Sequence, residues 1–364
     1  MQIKTITCHE VYNHGATLQE YALLVYLNSL SHKAEVIHYK PPYLSQHFNL
    51  TAVGNPKFNL PLIKQLYILV KLPKRMKMLQ RKRAFDKFHT KYIPTGKKLY
   101  SSNEELKKDL PEADAFICGS DQIWNSFFQN GKDPAFYLNF VPDFKKKISY
   151  AASFAIDKLN EEVKPLVKEN VLRLDAVGVR ETSGVQILSD LGIHGAEQVL
   201  DPVFLLTRKH WNQFTFPIRE QFVFVYDFDS NPLIKEIVLK LKKENGYAIY
   251  TVNANIDYAD KNFYLEGPET FLSLVSQSNL NITNSFHSVA FSLIFNQQLV
   301  VVNRAEKINT RMRDLLALFN LQDYLISTTA AFNFWEPIEY SKVNPLIQEK
   351  VEASKQFLVK SLEG

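Results

Sequence analysis

The stretch LNITNSFHSVAFSLIFNQQLVVVN, Leu280–Asn303, decides the fold. LNITN (Leu280–Asn284) and LVVVN (Leu299–Asn303) are short apolar runs with β-branched residues, and the segment between them carries a helical pattern. Strand, helix and strand in this order form a βαβ unit, whose two strands run parallel. The same alternation extends outward. Upstream lie FVFVYDF (Phe222–Phe228) and YAIYTVN (Tyr247–Asn253), with the amphipathic PLIKEIVLKLKKE between them, and downstream lies the helical RMRDLLALF. A separate set fills the first half. IKTITC (Ile3–Cys8), EVIHY (Glu35–Tyr39), DAFICG (Asp114–Gly119), ISYAAS (Ile148–Ser153) and AVGVR (Ala176–Arg180) read as strands, and ATLQEYALLVYLNSL as the first helix. The rhythm changes near Asp201–Pro202 and Trp211.

Two successive sets of β-α units predict an α/β protein of two Rossmann-like lobes facing a cleft. The expected division is an N-terminal lobe over 1–205 with a basic insertion at 43–98, a C-terminal lobe over 206–335, and a final amphipathic helix within 336–364. Ligands in such sheets bind beyond the carboxyl ends of the strands, so the residues just after each strand are the ones to inspect.

Composition narrows the function. With 46% hydrophobic and 22% charged residues the chain has the makeup of a globular protein, not a disordered one. No apolar run approaches the roughly 20 residues that span a bilayer. The opening MQIKTITCHE lacks the basic-then-apolar layout of a secretory signal, so a cytoplasmic protein is expected. Cys8 and Cys118 sit in strand-like surroundings and read as buried thiols. From Lys71 to Lys98 eleven Lys and Arg face one acid, Asp86. Such a run is commonly a solvated helix face. Its functional alternative is attraction to an anionic membrane surface at the inner face of the membrane, or to a lipid-diphosphate acceptor. No motif or aromatic stacking pattern favours nucleic acid.

No phosphate loop, GxGxxG, HExxH or GxSxG motif is present. Four strand-end clusters remain. In NHGATLQEYAL (Asn13–Leu23), Gly15 before a helix N-terminus could let backbone amides reach an anion, or simply make the turn. In CGSDQIWN (Cys118–Asn125), Ser120 and Asp121 read as a helix cap or as a carboxylate placed in the cleft, and Trp124 as core or as a wall for a sugar ring. In VGVRETSG (Val177–Gly184), Arg180 offers a guanidinium suited to phosphate or carboxylate, or a structural ion pair. In TNSFHS (Thr283–Ser288), His287 reads as a capped or satisfied core residue, or, with the basic segment of Arg304, Lys307 and Arg311 that follows, as part of a grouping suited to a dianion.

N-x-GA-x-LQ-x-YAL, GSDQIWN, KISYAASF, VGVRE, VLDP and the TNSFH segment, in this order, resemble the polysaccharide pyruvyl transferase family over about Asn13 to Leu316. The resemblance implies a build similar to B-type glycosyltransferases, phosphoenolpyruvate as co-substrate and a sugar of a cell-surface glycan precursor as acceptor. It implies donor binding by Arg180 and His287, with Arg304, Lys307 and Arg311 adding positive potential. His287 and Asp121 are the candidates for acid–base roles, and Asn13, Gly15, Ser120 and Trp124 for the acceptor side. No cofactor or metal is required by this chemistry. The chain carries Asn284 where the family commonly has Asp, and Ser288 where it commonly has Gly. The first change would remove a partner from the histidine, and the second would narrow the space near a ligand. Two other readings stay open: a nucleotide-sugar glycosyltransferase of the same build, and a non-catalytic glycan- or lipid-binding homologue.

Overall fold

The structure is a computed structural model that describes residues 1–45, 53, 60–305, 309–333 and 335–363. It contains two parallel six-stranded sheets. The first holds β1 (Gln2–Ile6), β2 (Lys33–Val36), β3 (Ala115–Cys118), β4 (Lys146–Ala152), β5 (Ala176–Val179) and β6 (Glu197–Gln198), in the order β2-β1-β3-β4-β5-β6. The second holds β7 (Phe222–Tyr226), β8 (Ala248–Thr251), β9 (Lys261–Asn262), β10 (Leu280–Thr283), β11 (Leu299–Val302) and β12 (Leu325–Ile326), ordered β12-β11-β10-β7-β8-β9. Counted from β7, this is the 3-2-1-4-5-6 arrangement of a dinucleotide-type sheet. Every residue of β3, β7, β10 and β11 is buried, because helices cover both faces of a parallel sheet.

The helices that matter below are α1 (His14–Ser29), α2 (Pro61–Tyr92), α3 (Thr182–Asp190), α4 (Pro232–Asn245), α5 (Pro268–Gln277), α6 (Phe286–Phe295), α7 (Thr310–Leu318) and α8 (Tyr340–Glu363). Helix α4 shows how local chemistry sets a boundary. Asn231 caps it by accepting from the Leu233 amide at 2.9 Å, and Pro232 occupies the first turn, where a missing N–H costs nothing.

The basic insertion, expected to be irregular and helical in part, forms over Pro61–Tyr92 one helix of 32 residues. Its C-terminal half is anchored by Arg81, Phe85, Phe88 and His89, buried at helical spacing. The Arg81 guanidinium donates to the Tyr12 carbonyl at 3.0 Å and to the Tyr264 carbonyl, and lies over the rings of Phe85 and Tyr264. Helix α2 therefore ties the segment after β1 to the segment after β9.

The C-terminal helix α8 returns to the first sheet. Its Ser354 hydroxyl accepts from the Leu200 amide at 2.9 Å, and Lys146 donates to the Leu362 carbonyl at 3.0 Å. Phe357 packs on Gly178, where an added Cβ would lie 2.8 Å from the ring, so a side chain there would push the helix off the sheet.

Candidate active site

In an open parallel sheet, the loops leaving two neighbouring strands part at the point where the winding reverses, and this opens a crevice. That point lies between β1 and β3 in the first sheet and between β7 and β10 in the second. The segments leaving these four strands carry most of the residues singled out in the sequence.

The first-sheet side is assembled by hydrogen bonds between motifs. Asn13 caps α1, its side-chain oxygen accepting from the Gly15 amide at 3.0 Å and the Ala16 amide at 3.2 Å. The Gln19 amide group donates to the Thr7 hydroxyl and accepts from the Ser120 backbone N–H at 3.1 Å, while Thr7 donates to the Ser120 carbonyl at 3.0 Å. The turn after β1 and the loop after β3 are thereby locked together. Asp121 follows with φ at 67°, its carboxylate partly exposed and 4.0 Å from Arg180.

Arg180 ends β5 fully enclosed. It donates to Asp201 at 2.7 Å and Glu181 at 3.1 Å, and its guanidinium stacks 4.1 Å from the centre of the Phe286 ring. Burial works against its charge, but Glu181 and Asp201 outweigh it and hold its pKa above the ordinary value. Asp201 accepts Arg180, the Ser120 hydroxyl at 3.1 Å and the Val203 amide at 3.1 Å. Burial alone would raise its pKa, yet His287 and Arg180 hold it well below the carboxylate range. Glu181 is shifted the other way: its burial outweighs Arg180 and the Ser153 hydroxyl that donates to it.

From the second sheet, His287 sits in the first turn of α6, with Nε2 3.5 Å from the same Asp201 oxygen. Its other face meets α1. A Cβ added to Gly15 would lie 1.9 Å from His287 Nδ1, so only glycine lets the two helix N-termini touch here. Arg311, on α7, is 7% exposed and lies 5.9 Å from Phe286 on the ring that Arg180 also faces. With the Gln122 amide turned so that its oxygen faces the guanidinium, it donates to Gln122 at 3.2 and 3.3 Å. Among the described residues no carboxylate lies within ion-pair distance of Arg311, and its Nε has no partner. Burial, and then the like charge of Arg180, lower its pKa to about 10. Helix α7 is held there by Asp314, which accepts from the Ser183 amide at 2.9 Å, and by the Arg313–Asp157 pair at 2.8 Å.

The structure thus brings together Gly15, Asp121, Arg180, His287 and Arg311. Arg304 sits near enough for its charge to help lower the Arg311 pKa, while Trp124 and Ser120 are committed to other partners. Arg304 lies after β11, 3.5 Å from Asp229 and over the ring of Phe228. Lys307 lies outside the described residues. Trp124 cannot be a wall for a sugar: it is wholly buried, stacked on Tyr137, and donates to the Phe136 carbonyl at 3.0 Å. Ser120 likewise is wholly buried, its hydroxyl committed to Ala151 and Asp201, so it positions Asp201 instead of meeting an acceptor. The site is not built of cations alone. A guanidinium enclosed as tightly as Arg180 needs counter-charge, and Glu181 and Asp201 supply it.

Asp201 and Phe286 were not singled out in the sequence. VLDP carried the only cue for Asp201, an acid between a strand and a proline, and this reads equally as an N-cap. The Asn284 departure has a local explanation. Its amide donates to Asp227 at 2.7 Å and its oxygen accepts from the Phe228 amide at 2.9 Å, so it braces the end of β7 while Asp201 serves the histidine.

Two parallel α/β sheets with a site between their carboxyl ends define the two-lobed build of the B-type glycosyltransferases. Solved structures agree at the level of fold. A UDP-N-acetylglucosamine 2-epimerase from Rickettsia bellii is 11% identical, with all of this chain and 96% of that one covered at a TM-score of 0.51. MnaA of S. aureus, solved with UDP, is 10% identical, with 97% and 90% covered at 0.50. Among curated proteins none matches the chain in sequence. The profile of the polysaccharide pyruvyl transferase family matches residues 13–306, and the chain belongs to that family.

Proposed function

We propose that the protein moves the enolpyruvyl group of phosphoenolpyruvate onto two hydroxyls of a sugar in a cell-surface polysaccharide precursor, closing a cyclic pyruvate ketal. Family membership supports pyruvyl transfer. The observation that carries the donor assignment is the convergence, from both sheets, of three buried nitrogens that make no hydrogen bond: Arg180 Nη2, 4.0 Å from Asp121, His287 Nε2, 3.5 Å from Asp201, and Arg311 Nε. A small ligand with a phosphate and a carboxylate can satisfy all three.

In this reading a proton is delivered to the methylene carbon of the donor, and positive character develops at the adjacent carbon. One sugar hydroxyl adds there and gives up its proton. The bond to the phosphate oxygen then breaks, with the electron pair leaving on phosphate, and the second hydroxyl adds and loses its proton. Two carbon–oxygen bonds form while one carbon–oxygen bond and the enol π bond are lost. The two hydroxyl protons end on the methyl group and on phosphate, and nothing is oxidised. His287 is assigned to proton delivery or phosphate contact, Arg180 and Arg311 to the anionic groups, and Asp121, the most exposed carboxylate of the cluster, to the attacking hydroxyl. Substrate would enter from the cleft between the lobes, where closing around the donor excludes water.

The test is release of inorganic phosphate from phosphoenolpyruvate with lipid-linked and free sugar acceptors, together with the mass of the product. A mass gain equal to a pyruvate ketal is expected. His287→Ala should lower turnover by about 10²–10⁴-fold while the variant remains folded by circular dichroism. Transfer from a UDP-sugar, with phosphoenolpyruvate inert, would replace this reading by a glycosyltransferase.

A further inference from the structure

Helix α2 is divided along its length. From Arg81 onward it is anchored, whereas none of its described residues from Leu62 to Gln80 is buried. At 1.5 Å per residue this part projects over roughly 30 Å. A polar surface is expected on such an arm, yet Leu62 is 82% exposed, and Leu66, Leu69, Val70 and Met76 are each exposed by more than 60%. With Ile63, these residues recur at the i, i+4, i+7 and i+8 spacing that puts them on one face of the helix. A contiguous apolar face of this kind on an otherwise soluble surface marks an interaction site.

We propose that this face docks on an anionic lipid bilayer, with α2 lying in the plane of the interface. Charge selects the occupant. Helix α2 carries ten Lys and Arg against one acid, Asp86. Two copies of such a helix laid face to face would repel, which disfavours a second copy of this chain. A leaflet rich in anionic headgroups supplies the opposite charge across the whole helix, since its diameter of about 10 Å is close to the Debye length. Each basic residue near such a surface adds attraction, and the leucines supply the apolar insertion. No helix among the described residues is long and apolar enough to cross a membrane, so the contact is peripheral. The anchored half of the same helix donates through Arg81 to Tyr12, next to the first turn of α1, so docking would hold the active-site cleft at the membrane surface. The inference does not rest on the donor chemistry.

The experiment is flotation of the full chain with phosphatidylcholine vesicles, with and without phosphatidylglycerol. Binding is expected only to the vesicles containing phosphatidylglycerol, and it should weaken as salt rises. The exposed triple variant Leu62→Ser, Leu66→Ser, Leu69→Ser should lower partitioning about tenfold or more with an unchanged unfolding midpoint. Lys71→Gln with Lys77→Gln should reduce the preference for the anionic lipid. Equal flotation of the triple variant and the parent would overturn the proposal, as would failure of the parent to bind. A dimer in light scattering that the triple variant converts to monomer would also overturn it, because the face would then be covered by a second copy. Phosphate release with a free sugar acceptor should be unchanged in the triple variant, so loss of lipid binding and failure of the transferase reading remain separate results.

Discussion

One oxygen of Asp201 receives Arg180 at 2.7 Å and the Ser120 hydroxyl at 3.1 Å, with His287 at 3.5 Å. Three sequence motifs meet on an atom of a fourth. Asp201→Asn leaves the enclosed guanidinium short of one negative charge, and breaking a buried pair from one side costs about 3–5 kcal/mol. The urea midpoint should fall accordingly, and a loss below about 1 kcal/mol, the worth of a surface pair, would show that the charge is not shielded from water. Gly15 tests geometry instead of charge. With its added Cβ 1.9 Å from His287 Nδ1, Gly15→Ala must displace the imidazole. A displacement near 1 Å at a reacting group costs about a hundredfold in rate, so kcat should fall by that order. A fully active alanine variant would remove His287 from the reaction. At this scale the sequence was half legible. Arg180 and His287 could be picked out as residues that follow strands. Asp201 could not, because a carboxylate beside a proline is ordinary and only burial shows that its charge is used.

The elements were more legible than the residues. Nine of the strands lie where short apolar runs predicted them, with ends shifted by a few residues; most are buried on both faces and so write themselves as continuous β-branched and aromatic sequence. The remaining three, Glu197–Gln198, Lys261–Asn262 and Leu325–Ile326, are two-residue edge strands. Two residues carry no period, so nothing local could reveal them. The basic insertion was legible as a helix face but not in its length or its anchoring, for a different reason. Its charges run along most of the sequence and obscure the spacing of Arg81, Phe85, Phe88 and His89, which only packing makes visible. Helix α8 was legible as a helix, but not in its destination on the first sheet. Phe357 is buried there against Gly178, and Phe357→Ala should cost about 3–5 kcal/mol, as for other buried aromatic truncations. Calorimetry should show the lowered midpoint, and limited proteolysis should cut first within Tyr340–Glu363. An unchanged proteolytic pattern would mean that the helix is held by other contacts.

Across the whole molecule, the first strand, the first helix and the basic helix are joined by one buried acid. Glu20 on α1 meets His9, after β1, at 2.7 Å and His89, near the end of α2, at 3.3 Å. Burial would raise the Glu20 pKa, but His9 and His89 reverse this and bring it to about 2 from an ordinary 4.5. For His9 burial pulls down, and Glu20 more than compensates, so its pKa stands above the ordinary 6.5. The two shifts act on opposite sides of the pH scale. The depressed carboxylate contributes stability that is complete above 4.5 and is lost as pH falls toward 2, while the raised imidazole contributes stability that is complete below 6.5 and is lost as pH rises through its folded value. Their overlap places the strongest joint between roughly pH 4.5 and 6.5. Glu20→Gln removes both contributions at once. The difference in urea midpoint between parent and variant should therefore be largest inside that window and shrink on either side of it. A difference that stays constant from pH 3 to pH 9 would mean that Glu20 holds these elements by shape and neutral hydrogen bonds, with no ionic share in tying α2 to the first sheet.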